Sequence, residues 1–164
     1  MHQTAYSCKL KRDRLGVSPF PRRMNDWEKQ RRLEERVESF ALLLVDDDAE
    51  LLHLLELRLA HDGFRVISAG SGHQALLALD QCLPDLVIVS LLLSDVNSFQ
   101  LVAQIKQQRD IPVIFLMPIH GVRTRAPEVR CCAEDYVVEP FEYEELLDRI
   151  RRVLGQTSRP DGGE

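Results

Sequence analysis

Leu42-Leu43-Leu44-Val45-Asp46-Asp47-Asp48-Ala49-Glu50-Leu51-Leu52 is the stretch that decides the fold. Its first four residues are wholly apolar, too short for a core helix and without the polar alternation of a strand that faces water, so they read as a strand covered on both faces. Three carboxylates follow at once, and beyond them leucine recurs at helical spacing from Ala49 to His61, stopping before Gly63. The unit is a buried strand, an acidic turn and a helix. Working outward, the same alternation predicts further strands at Phe64–Ser68, Leu86–Ser90, Pro112–Leu116 and Asp135–Val138, after a first at Ala41–Val45. Helices are predicted from Ser71 through Leu79, at Ser98–Gln108 and at Glu142–Leu154, the last with acids in its first turn and Arg149, Arg151 and Arg152 in its final turns. Alternating strands and helices of this kind form an α/β parallel sheet with helices on both faces. The fourth unit is irregular: Pro118, Gly121 and Pro127 predict a long loop followed by a short helix near Glu128–Cys132.

A chain of 164 residues holds one domain of common size with about 40 residues to spare. Hydrophobic residues at 45% and charged residues at 29% exclude a disordered, collagenous or disulfide-scaffold protein. No apolar run approaches the roughly 18 residues of a spanning helix, and the basic first 20 residues have no secretory apolar segment, so a cytoplasmic protein without a membrane partner is expected. Charge is uneven. Residues 1–40 carry 10 Lys+Arg against 6 Asp+Glu, net +4, which leaves 11 against 20, net −9, for the remainder. An acidic body argues against nucleic acid as the main partner, since duplex binding needs clustered cations. Of four lysines, Lys9, Lys11, Lys29 and Lys106, only the last lies beyond residue 40. Cys8, Cys82, Cys131 and Cys132 have no zinc-ligand spacing and read as reduced thiols.

The leader divides in two. Residues 1–24 are basic, contain Gly16, Pro19 and Pro21, and predict a disordered arm. Residues 25–40 predict a helical extension, with Glu28 and Arg32 four apart and a stripe of Leu33, Val37 and Phe40 that packs on the domain or offers a homodimer seam. Residues 155–164 predict a disordered tail too short for an output helix-turn-helix, which makes residues 41–154 a stand-alone domain on this reading.

In an open doubly wound sheet the functional crevice lies beyond the carboxyl ends of the strands, where strand order reverses. Here the first strand runs into Asp46, Asp47 and Asp48 and the third ends at Ser90. Three consecutive carboxylates there are costly without a cation or lysine, unless Asp48 caps the helix and the other two stay solvated.

The segments LLLVDDDAELL, GFRVISAGSGHQAL, PDLVIVSLLLSDVNSFQLV, IPVIFLMP and AEDYVVEPF, in this order and spacing, resemble the receiver (CheY-like) domain of bacterial two-component response regulators over residues 41–154. The resemblance implies a flavodoxin-like (βα)5 sheet of order 2-1-3-4-5. It also implies phosphoryl transfer to an aspartate at the end of the third strand, with Mg²⁺ held by that aspartate and the acidic pair after the first. Asp46 and Asp47 match the pair, but Ser90 stands in place of the phosphoacceptor, Met117 in place of a hydroxyl residue and Glu139 in place of a lysine. A serine hydroxyl cannot form an acyl phosphate, methionine offers no hydrogen-bond donor, and a glutamate opposes a gathering phosphoryl charge. The loop Ser94-Asp95-Val96-Asn97-Ser98 has lost the family's Pro and Gly, whereas Pro112, Asp135, Tyr136, Pro140 and Phe141 match, and Glu139-Pro140 occupies the place of a bond that is usually cis. Tyr136 takes the position of the aromatic that swings on activation and reads here as a fixed amphipathic ring.

The expected function is that of a pseudo-receiver with no catalytic residue, metal or cofactor, working by phosphorylation-independent contact with a protein partner of unknown identity. Its interface is expected on residues 118–132, with Arg123 and Arg125, together with Tyr136 and Arg149. A divalent ion held by Asp46, Asp47 and Glu139 is the alternative. A haloacid-dehalogenase-like phosphatase is a remote one, since Asp46-Asp47-Asp48 fits its opening motif but Met117 and Lys106 do not supply its Thr or Ser and its Lys.

Overall fold

The computed structural model describes residues 26–27 and 40–157. The chain falls into two units, residues 1–37 and 38–164, and the sheet belongs to the second. Of the expected helical extension, Asp26 and Trp27 are helical. Residues 28–39, the arm over 1–24 and the tail from 158 onward lie outside the described residues.

Strands Ala41–Val45 (β1), Arg65–Ala69 (β2), Leu86–Ser90 (β3), Val113–Pro118 (β4) and Asp135–Glu139 (β5) form one parallel sheet of order β2-β1-β3-β4-β5. Helices Ala49–His61 (α1), Gly72–Gln81 (α2), Ser98–Gln108 (α3), Val122–Cys132 (α4) and Tyr143–Thr157 (α5) cover it, giving the expected α/β flavodoxin-like architecture. The apolar runs explain which strands are central. β1 and β3 are buried at every position because both of their faces meet helices. Leu42 and Leu44 pack with α1 and α5, while Leu43 and Val45 pack on the opposite side with α2, α3 and α4. β2, at the edge, exposes Arg65 and Ser68.

Local chemistry sets the helix ends. Asp48, Ser71 and Asn97 accept bonds from the free N–H groups at the starts of α1, α2 and α3. Gly63 follows α1 at φ 94°, a left-handed conformation that glycine adopts without cost.

The break expected at Pro127 does not occur. A 3₁₀ turn at Ile119–Gly121 leads straight into α4, and Pro127 sits within that helix. The proline forfeits one ladder hydrogen bond, but Ala126 and Val129 are buried and Val122 packs on the same core, and this apolar face outweighs the lost bond. Other boundaries move by a few residues. β4 takes in Met117 and Pro118, β5 takes in Glu139, and α5 continues through Gly155 to Thr157.

Candidate functional site

The crevice follows from topology. β1 and β3 are neighbours whose following helices leave to opposite faces, so the chain parts above their carboxyl ends. Asp46 leaves β1 at 5% exposure, and its Oδ1 accepts the Asp48 N–H at 2.9 Å. Asp47 is exposed, and its Oδ2 accepts the Ser94 N–H at 3.1 Å. Asp48 caps α1 through the N–H groups of Glu50 and Leu51, at 3.1 and 3.2 Å. The three adjacent acids thus have three separate tasks, and Asp48 has the capping one.

Ser90 closes β3 at 7% exposure. Its Oγ lies 3.3 Å from both the N–H and the carbonyl oxygen of Leu92, accepting from the first and donating to the second, so the hydroxyl is absorbed by its own turn. The loop beyond is tied at several points. Ser98 Oγ lies 2.7 Å from the Ser90 carbonyl oxygen and 2.9 Å from that of Leu91. The two oxygens of Asp95 accept the Gly72 and His73 N–H groups, each at 3.0 Å, which holds its carboxyl below the ordinary range. A Cβ at Gly72 would overlap the Val96 side chain, so glycine lets loop and helix meet. Sequence reasoning assigned no role to Asp95 or Ser98, because their partners lie across the fold and no local spacing marks them.

Met117 is fully buried, packed with Phe115, Ala126 and Val129 on the α4 side of the sheet. Glu139 ends β5, half-buried, ahead of a cis bond to Pro140. Burial pushes its carboxyl up, and the charges of Asp46 and then Asp48 push the same way. Burial also raises Asp46, opposed by the Asp48 N–H and reinforced by Asp47 and Asp48. The one lysine of the domain is elsewhere: Lys106 Nζ pairs with Glu134 Oε1 at 2.7 Å.

Asp46 and Glu139 therefore make a pH-dependent contribution. A carboxyl whose folded-state pKa exceeds its unfolded value binds more protons when folded, so its contribution falls as pH rises above about 4. Urea midpoints should be higher at pH 5 than at pH 7, and Glu139→Gln should shrink that difference. An unchanged difference in the variant would place Glu139 outside the effect.

No three His, Cys, Asp or Glu side chains among the described residues are placed to hold a metal ion, which gives no support to the alternative of a divalent ion held by Asp46, Asp47 and Glu139. The Mg²⁺ chemistry that the resemblance implies fits this donor set no better: one oxygen of each acid is engaged by a backbone N–H, and the third carboxylate is replaced by Ser90.

The expected interface residues separate. Arg123 and Arg125 are exposed on α4, the latter with its guanidinium 5.8 Å from the Phe99 ring centre and 4.0 Å from Glu128 Oε2. Tyr136 is half-buried on β5 with the Arg130 guanidinium 6.0 Å from its ring centre. Arg149 is half-buried on α5 and is already paired within the domain. Its Nη1 pairs with Asp135 Oδ1 at 2.6 Å and its Nη2 with Glu145 Oε1 at 3.5 Å, because the α5 side chain reaches back across the sheet edge to the acid that opens β5. Among the described residues no helix is long and apolar enough to cross a membrane.

Residues 42–151 match the family model described as the response regulator receiver domain. A protein of Guillardia theta named "Probable transcriptional regulator ycf27" is 36% identical over 118 residues, 72% of this chain and 46% of that protein. Response regulator ArlR of Staphylococcus aureus is 32% identical over 123 residues, 73% of this chain and 55% of that one. The chain thus spans about half the length of these relatives. Among solved structures, response regulator TrrA of Thermotoga maritima, determined with Mg²⁺ and BeF, superposes with a TM-score of 0.63 at 25% identity, covering 70% of this chain and 98% of that one. The expectation that nucleic acid is no partner finds no support here, since a relative with an equivalent domain bears the name of a transcriptional regulator.

Proposed function

This chain belongs to the response regulator receiver family, and from that premise we propose that it is a degenerate member, acting in two-component signalling by protein contact without accepting a phosphoryl group. The observation that carries the reading is the set of three side chains at the carboxyl edge of the sheet. Ser90 has no carboxylate to phosphorylate and spends its hydroxyl on Leu92. Met117 has no donor and lies in the core. Glu139 adds negative charge beside Asp46, where a dianionic phosphoryl group would need a cation. Each loss alone would weaken phosphotransfer, and together they remove the acceptor, a donor and the counter-charge.

Without a phosphoryl group to bias two states, the module holds one conformation and binds constitutively. The pinned loop after Ser90 supports this, since Asp47, Asp95 and Ser98 tie it to β1, α2 and β3. The contact surface we assign is the exposed side of α4 with Arg123 and Arg125, continued by Tyr136. The transcriptional regulators among its relatives make a transcription-linked pathway the expected setting. A partner captured by the full chain in its native cell extract should be captured equally with and without acetyl phosphate and Mg²⁺, and lost with Arg123→Glu/Arg125→Glu. Capture that depends on the phosphodonor would contradict the proposal.

A further inference from the structure

α1 is apolar on both sides. Leu52, Leu55 and Leu59 face the core at 8%, 3% and 0% exposure, as one stripe of an amphipathic helix should. Leu54 and Leu57 point the other way, at 53% and 58% exposure, and neither belongs to a core cluster. They stand within a longer line. Glu50, Leu54, Leu57 and His61 follow one another at intervals of four, three and four residues, the spacing of a coiled-coil seam, and Glu50 and His61 are exposed like the leucines between them. A helix face that needed only to be wet would not carry two large apolar side chains at its centre, with a carboxylate at one end and an imidazole at the other.

We propose that this face is a self-association surface on which α1 packs against α1 of a second copy of the chain, antiparallel about a two-fold axis. The end residues, a carboxylate acceptor and an imidazole N–H donor, select both occupant and direction. In the antiparallel arrangement Leu54 meets the second copy's Leu57, and Glu50 meets the second copy's His61, each pair occurring twice because the contact is isologous. The helix dipoles also oppose, with the acidic first turn of one helix beside the basic last turn of the other. A parallel pairing would set Glu50 against Glu50 and His61 against His61. The seam occupies a helix of 13 residues and two leucine layers, which places it among weak, reversible contacts. It rests on α1 alone and does not depend on how Ser90 is read.

Sedimentation velocity of the full chain from about 10 μM to about 500 μM should show a concentration-dependent dimer. Leu57→Glu should weaken it at least about tenfold while leaving the thermal melt of this exposed position unchanged. Glu50→Lys should weaken it also, and Glu50→Lys/His61→Glu should restore it, because the reversed pair is complementary again in the antiparallel arrangement. A chain that stays monomeric throughout, a dimer indifferent to Leu57→Glu, or a double variant no better than Glu50→Lys would each overturn the proposal.

Discussion

Ser90→Asp, the substitution that restores a family acceptor, should destabilise the domain by about 2 kcal/mol at pH 7, and adding Glu139→Lys should recover about half of that loss. Ser90 is 7% exposed, so a carboxylate there is desolvated as soon as it is built. It would join Asp46, whose carboxyl is already pushed up by burial, and Glu139, pushed up by burial and by Asp46. It would also lose the bonds that Ser90 Oγ makes with Leu92. Lysine at 139 would turn two repulsions into attractions, so the two substitutions should be non-additive in urea denaturation. Additive effects would mean that positions 90 and 139 do not share one electrostatic site.

Arg149→Glu should cost about 2 kcal/mol in the same measurement, against less than about 0.5 kcal/mol for Arg123→Glu. The Arg149 side chain is 29% exposed and that of Asp135 is 17% exposed, so their 2.6 Å pair lies between a surface bridge and a buried one. Reversal would set a glutamate against Asp135 and would also take from Glu145 its partner at 3.5 Å, while the Tyr136 N–H still donates to Asp135 at 2.8 Å. A loss of binding in this variant would therefore carry a loss of stability with it, and Arg123 and Arg125 are the cleaner probes of an interface. Equal stability of the Arg149 and Arg123 variants would show that the ion pair is solvated away.

The fold was legible because its signals are local. Apolar runs marked β1 and β3, and Asp48, Ser71 and Asn97 stand where helix starts need acceptors. Pro127 misled for the same reason: proline is a local rule, and the burial of Ala126 and Val129 that overrides it is a tertiary fact. The candidate site was half legible. Residue types at 90, 117 and 139 could be read directly, and Glu139 does lie within the electrostatic reach of Asp46. The direction of a hydroxyl or carboxylate could not. Nothing in the sequence shows that Ser90 turns to Leu92, that Asp47 is taken by Ser94, or that Arg149 reaches Asp135. Such partners lie across the fold or depend on a rotamer, and hydrophobic period carries no information about either.

On our proposal this receiver accepts no phosphoryl group. Intact-mass spectrometry at neutral pH, after incubation of the full chain with acetyl phosphate and Mg²⁺ beside a phosphorylatable receiver as control, tests it most directly. A phosphorylated species is expected for the control and none for this protein. A hydroxylamine-labile phosphate on this chain, mapped to Asp46, Asp47 or any other carboxylate of the crevice, would contradict it.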